Sequence, residues 1–290
     1  MDGVINIFKH AGVSSHDIVQ NLRKILKTKK VGHTGTLDPD AVGVLPICVG
    51  KATRLVEFLT SSTKTYRALL VFGRETDTQD GSGKVLKTTP LPKHNVIEFT
   101  SVLRLFLGEI EQIPPMYSAI KIKGQPLYQL ARQGQSVQLE PRKIKIFSIN
   151  LLSYDTKTAL IEVCCSKGTY IRTLCQDIGK AVNSSAYMSF LLRTKSGQFN
   201  VNDSFTIDEV SQLPIERFLV KPADSIKEWP QLFFNKEEMT KVSHGNAVSL
   251  SSPAELCREN QRYKVLDVDG NLVAIGIVTD GLFKPEKVFR

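Results

Sequence analysis

Apolar positions along the chain switch between a helical period and strand-like runs, and the switches mark out the elements. In SSHDIVQNLRKILKTKK, Val19, Leu22 and Leu26 share one face at helical spacing, which predicts a helix capped by Ser14 or Ser15. Lys27, Lys29 and Lys30 would end it, where cations favour the helix dipole. LPICVG then reads as a buried strand, KATRLVEFLT as a helix and KTYRALLVFG as a strand, with a turn over Asp80 to Gly83. Residues 95–109 predict a second long helix carrying Val102, Leu103, Phe106 and Leu107. ALIEVCCSKGTYIRTLCQDIGKAV reads as a strand, a glycine turn and a helix buried through Ile171, Leu174, Ile178 and Val182. Arg172 falls off that stripe. RYKVLDVDGNLVAIGIV is a hairpin pattern with Asp269-Gly270 at its turn. Helices and strands thus alternate through most of the chain, and a β-rich unit closes it. The expected fold is mixed α/β, with a large domain over 1–227 and a small β-rich one over 228–290. No internal repeat or low-complexity segment interrupts this order.

Composition narrows the class. Of 290 residues, 41% are hydrophobic and 23% charged, as in soluble globular proteins. No apolar run approaches the roughly 20 residues that span a bilayer, and MDGVINIFKH lacks the pattern of a signal peptide. Five cysteines without a CxxC pair argue against a disulfide framework and suit a reducing cytoplasm, the expected location. The net charge of +9 is unevenly spread: residues 1–195 carry 27 Lys/Arg against 15 Asp/Glu, residues 196–290 carry 11 against 14. A basic body suits a polyanionic partner, although basic surfaces also serve solubility alone. Between Lys121 and Lys145 lie six Lys/Arg and a single acid, Glu140, with Tyr117 and Tyr128 close by. That mixture fits stacking and phosphate contact, and equally a solvated hairpin.

Several chemistries find no support. Gly50-Lys51 suggests a phosphate loop, but Leu45 and Ala52 stand where its first glycine and its hydroxyl residue belong. There is no HExxH, no histidine pair at ligand spacing and no dinucleotide fingerprint, so neither metal nor cofactor is expected. What remains is GHTGTLDPDAVGVLPICVG, Gly32 to Gly50, with Asp38 placed before Pro39. Local grammar alone reads the Asp-Pro pair as a turn. It does not explain the glycines that shape the loop around one carboxylate.

The whole stretch GHTGTLDPDAVGVLPICVGKATR closely resembles the catalytic motif of the TruB family of pseudouridine synthases. KTYRALLVFGRETDTQD, IPPMYSAIKIKGQPLYQLARQG, KGTYIRTLCQDIG and LLRTKSGQF resemble further family motifs in the same order, together covering most of residues 9–199. The resemblance implies a curved-sheet catalytic domain with a PUA-like C-terminal domain. It implies isomerisation of a flipped-out uridine at position 55 of the tRNA T-loop, without cofactor, partner protein or obligate oligomer. Asp38 would be the catalytic carboxylate, attacking the nucleoside or abstracting a ribose proton. Arg172 would pair with Asp38, and Tyr66 would stack on the uracil and assist proton transfer. His33, Asp80, Tyr170, Leu191 and Lys9 would line the substrate, and Lys121, Lys123, Arg132, Arg142 and Lys143 would meet RNA backbone. The excursion at about 120–142 resembles the tRNA-gripping insertion of the stand-alone branch, as opposed to the guide-RNA-dependent one. A tRNA-folding role is the alternative that would coexist with these residues. His10 after Lys9, Ser14 in place of threonine and Arg54 in place of lysine depart from the usual pattern.

Overall fold

The computed structural model describes residues 1–122, 124–135, 137–250, 258 and 260–289. In chain order, β1 (Gly3–Lys9) leads to α1 (Ser15–Ile25), β2 (Val31–His33) and β3 (Val42–Val49). A 3-10 turn, Gly50–Leu55, runs into α2 (Val56–Thr60), followed by β4 (Lys64–Phe72) and the ribbon β5 (Arg74–Thr76) and β6 (Val85–Thr88). Next come α3 (Val96–Arg104), β7 (Gly108–Gln112), the short ribbon β8 (Lys121–Ile122) and β9 (Gln125–Pro126), and α4 (Leu127–Arg132). β10 (Arg142–Tyr154), β11 (Thr158–Cys165), α5 (Ile171–Ala181), β12 (Ala186–Ser196), β13 (Phe199–Asn200), α6 (Ile207–Gln212) and β14 (Leu219–Val220) complete the body.

Ten of these strands form one sheet in the order β14-β1-β3-β12-β4-β11-β10-β7, with β2 on β3 and β13 on β12. Every neighbouring pair is antiparallel except β3 and β12, which run parallel through only two register pairs, Leu192 with Val42 and Arg193 with Gly43. The sheet is therefore two antiparallel halves joined at a short parallel seam. Gly43 sits at that seam with φ +109, and a Cβ there would lie 2.3 Å from the Arg193 carbonyl oxygen, so no other residue fits without moving a strand.

β1 and β3 are buried on both faces, which is why VINIF and VLPICV read as nearly continuous apolar runs. Ile5, Ile7, Leu45, Ile47 and Val49 enter the main core beneath α1, α3 and α5. Val4, Val44 and Cys48 face a second core with Ala52, Leu55 and Phe58. The C-terminal sheet covers this second face. It is built from β15 (Gln231–Leu232), β16 (Val248–Ser249) after α7 (Lys236–Ser243), β17 (Arg262–Leu266), β18 (Leu272–Thr279) and β19 (Leu282–Val288). Leu272 and Ile275 enter the second core from it, and Lys287 pairs with Glu57 at 2.9 Å.

Three element boundaries differ from the sequence expectation. α1 ends at Ile25 because Lys27 takes a left-handed φ of 49°, so Arg23 and Lys24 occupy its last turn instead of the later lysines. The helix expected over 95–109 stops at Arg104, and Gly108, at φ +92, turns the chain into β7. KATRLVEFLT begins as a 3-10 turn and becomes α-helical only from Val56.

Candidate active site

The seam between the half-sheets gathers the charged groups. On one side, the segment between β2 and β3 presents Asp38. Its shape is fixed from outside: Ser15, buried at the start of α1, exchanges hydrogen bonds with the Leu37 backbone, and Gly12 N–H donates to the Pro39 carbonyl. Lys9, 0% exposed at the end of β1, donates from Nζ to the carbonyls of His10, Val13 and Pro39. The substrate contact expected of Lys9 thus gives way to a clamp on the loop. Burial is the main reason its ammonium is pushed down to about 8, against the attraction of Asp38.

On the other side, α5 delivers Arg172. The helix buries Ile171, Leu174 and Ile178, and Arg172 lies off that stripe, as the periodicity predicts, yet is only 3% exposed. Three segments hold it. Its Nε lies 2.9 Å from Asp38 Oδ2, and Nη2 donates to Asp38 Oδ1 at 3.3 Å, a two-point grip on the carboxylate. Nη1 donates to the Thr78 carbonyl and sits 3.7 Å from Asp80 Oδ2, while Nη2 also donates to the Tyr117 carbonyl. One guanidinium thereby joins the Asp38 loop, the TDTQD loop and the base of the basic excursion.

The TDTQD loop is held in turn by α5. Gln79 has a φ of +63° and its amide bridges Thr173 Oγ1 at 2.7 Å and Gln176 at 2.8 Å. Asp80 accepts from Thr78, Ser82 N–H and the Ser82 hydroxyl, which aims its second oxygen at Arg172. At the start of α5, Gln112 clamps the Tyr170 backbone from both directions.

Electrostatically, one carboxylate stands apart. Asp38 keeps 40% of its side chain accessible, but burial among its neighbours raises its pKa, Arg172 pulls it back down, and Asp80 raises it again. Tyr66, on β4 in register with Arg193, has its hydroxyl pKa raised by burial and lowered by Arg193. Burial likewise raises Tyr170, against the positive charges of Arg172 and Arg142. His33 ends β2, half-buried, its ring nitrogen accepting from Gly35 N–H, and burial followed by the Arg193 charge lowers its pKa. Leu191, 7% exposed, lies in the main core opposite Ala68 on β4.

The structure joins Asp38 and Asp80 through Arg172 and places Lys9, Tyr66 and Tyr170 within electrostatic reach of Asp38, whereas His33 is linked to the site through Arg193. Lys121, Arg132, Arg142 and Lys143 are exposed, and Arg132 lies over the Tyr128 ring at 5.6 Å. Lys123 lies outside the described residues. Sequence reasoning missed Arg193, Gln79, Gln112 and Gln176. Arg193 and Gln79 fall inside motif-like segments, but nothing in spacing or polarity separates them from surface residues. A groove of about 410 Å³ between α3 and β10 contains none of the site residues.

The site is thus a carboxylate-centred cleft at the seam of a mixed sheet, and comparison with known proteins gives it a lineage. Residues 23–171 match the model for the TruB family pseudouridylate synthase N-terminal domain, and residues 172–225 that for the tRNA pseudouridylate synthase B C-terminal domain. The chain is 40% identical over 290 residues to tRNA pseudouridine synthase B of Caldanaerobacter subterraneus subsp. tengcongensis, covering 100% of this chain and 99% of that one. It is 44% identical over 259 residues to the protein of the same name from Oceanobacillus iheyensis, covering 86% and 85%. Among solved structures, a Cbf5-Nop10-Gar1 complex aligns at 27% identity with a TM-score of 0.77, covering 99% of this chain and 85% of that chain. The chain belongs to the TruB family of pseudouridylate synthases.

Proposed function

We propose that this chain converts uridine 55 in the T-loop of tRNA to pseudouridine, with Asp38 as the catalytic carboxylate. The observation that carries the assignment is the two-point grip of Arg172 on Asp38 in an accessible cleft. Pseudouridine formation breaks the C1′–N1 bond, turns the uracil and joins C1′ to C5. The C5 proton is lost and N1 gains one, so atoms and electrons balance within the nucleotide. Whether Asp38 attacks C1′ or removes the ribose 2′ proton, it must be ionised with an oxygen free to face the sugar. Arg172 favours the ionised form and fixes its direction. Asp38 remains accessible on one side, which leaves room for the ribose.

Tyr66 and Tyr170 would flank the extruded base, and Asp80 and His33 would meet neighbouring nucleotides. Leu191 would support the pocket from behind as part of the core wall. A base inside a stacked loop cannot reach Asp38, so extrusion must be offset by contacts elsewhere. The exposed cations Lys121, Arg132, Arg142 and Lys143, with Lys123 beside them in sequence, would supply those contacts to the RNA backbone. Residues 228–290 would add a second, PUA-like RNA-binding domain. The enzyme would act alone, as a cytoplasmic monomer.

The test is incubation of an unmodified tRNA transcript with purified protein, followed by carbodiimide labelling and mapping of reverse-transcription stops. A single stop reporting position 55 is expected for the wild-type chain and none for Asp38→Asn, with tRNA binding retained. Activity in Asp38→Asn above a few per cent of wild type, once deamidation is excluded, would remove Asp38 from the chemistry.

A further inference from the structure

Arg193 heads the fully buried side chains by volume, at 1% exposure. A buried ion without a counter-ion is strongly unfavourable, because the charge loses its hydration and gains no opposite charge. Among the described residues no carboxylate forms an ion pair with it. Its partners are backbone carbonyls: Nε donates to Val44 at 2.7 Å, Nη2 to Gly35 at 3.2 Å and Nη1 to Thr36 at 3.5 Å. Those carbonyls belong to the two ends of the segment that presents Asp38.

The main chain of Arg193 is placed as tightly as its side chain. It lies in register with Gly43 across the parallel seam and with Tyr66 on the antiparallel side. The charge also reaches the site, since it opposes the burial-driven rise of Tyr66 and adds to the depression of His33. A planar fork with five donors can bridge carbonyls from both ends of one loop; an ammonium presents its donors from a single point.

We propose that Arg193 is a positioning residue for the isomerisation, holding both ends of the Asp38 segment and the Tyr66 strand in one register across the seam. This rests on the isomerase reading above. At 1% exposure the guanidinium cannot grip phosphate, so its loss should act on turnover and not on RNA affinity.

The experiment compares the wild-type chain with Arg193→Met and Arg193→Lys on an unmodified T-stem-loop RNA. Single-turnover pseudouridine formation and the Kd for the RNA are measured separately. The expected rate loss is about 100-fold in Arg193→Met and about 10-fold in Arg193→Lys, the scale of a reacting group displaced by about 1 Å. Kd should stay within about threefold in both, since only buried contacts change. A folded Arg193→Met that turns over at the wild-type rate overturns the proposal, as does a Kd that weakens in step with the rate. If Arg193→Met does not fold, Arg193→Lys decides alone, and wild-type turnover there overturns the proposal. Unfolding of both variants makes Arg193 a scaffold residue and also overturns it. An inactive wild-type chain would instead sink the isomerase reading, so His33 is titrated by NMR as a readout independent of turnover. Its pKa should rise in Arg193→Met, where the cation is gone, and stay unchanged in Arg193→Lys; no rise in the folded Met variant overturns the proposal.

Discussion

At the residue scale, the two carboxylates beside Arg172 are not equivalent. Asp80 has three hydrogen bonds on one oxygen from its own loop, whereas Asp38 is gripped by Arg172 and otherwise open. The negative charge of Asp80 raises the pKa of Asp38, on top of the larger effect of burial. Turnover that needs ionised Asp38 should therefore fall on its acid side at a higher pH than an ordinary aspartate would give. Asp80→Asn removes the like charge and lowers the Asp38 pKa, so the ionised form persists further into acid. The acid limb of the single-turnover rate should move to lower pH, even where the plateau rate falls. An unmoved limb, or one moved upward, would mean that Asp38 does not set it. Asp38 and Arg172 were legible in the sequence because they sit in motifs with distinctive neighbours, LDPD and GTYIR. Lys9 was legible as a site residue but not in its role, because only the folded loop shows its three protons taken by carbonyls. Arg193 was silent for the same reason: its partners are main-chain oxygens, which every sequence supplies.

At the element scale, α5 does most of the positioning. It carries Arg172, Thr173 and Gln176, three polar residues turned toward the TDTQD loop, and further along the helix it packs on β12. Gly179 permits that packing, since a Cβ there would lie 2.7 Å from both the Cβ and the backbone nitrogen of Ala186. Helix propensity alone favours Gly→Ala by about 1 kcal/mol. Overlap with a strand backbone costs about 1–3 kcal/mol and should win. Gly179→Ala is expected to lower the Tm by a few degrees and to slow turnover as Arg172 shifts; a raised Tm would show that the helix and strand part freely. The helical stripe of α5 was readable from its period, and so was that of α1, whose N-cap is Ser14, one of the two serines the sequence offered; the reciprocal bond to Asp17 was not read. The end of α3 was not readable, because Phe106 and Leu107 continue an apolar pattern and only the turn at Gly108 stops it. The sheet order was also out of reach. Apolar runs in β1 and β3 announce burial on both faces but not that the partner of β3 is β12, more than a hundred residues later.

At the scale of the whole molecule, the charge split and the fold point the same way. The body over 1–195 carries 27 basic residues against 15 acidic, and its exposed cations at 121–143 flank the loop whose Tyr117 carbonyl is bound by Arg172. A polyanion gripped there, as proposed, would be linked to the carboxylate through Arg172, which binds the Tyr117 carbonyl and Asp38. On the proposed reading such a surface would meet phosphates, which carry no sequence, and discrimination would come from the shape in which the RNA presents its loop. Recognition of that kind would need only a stem that fixes the loop, not the rest of a tRNA. An isolated T-stem-loop should accordingly react with a kcat/KM close to that of full tRNA. A linear RNA with the same loop sequence and no stem should react poorly, because the enzyme must then supply the ordering of the strand as well as the unstacking of the base. All three RNAs are compared at one salt concentration, since phosphate contacts weaken as counterions compete. Comparable rates on the linear RNA would show that sequence is read directly, and the gripping role of the excursion at 120–142 would have to be withdrawn.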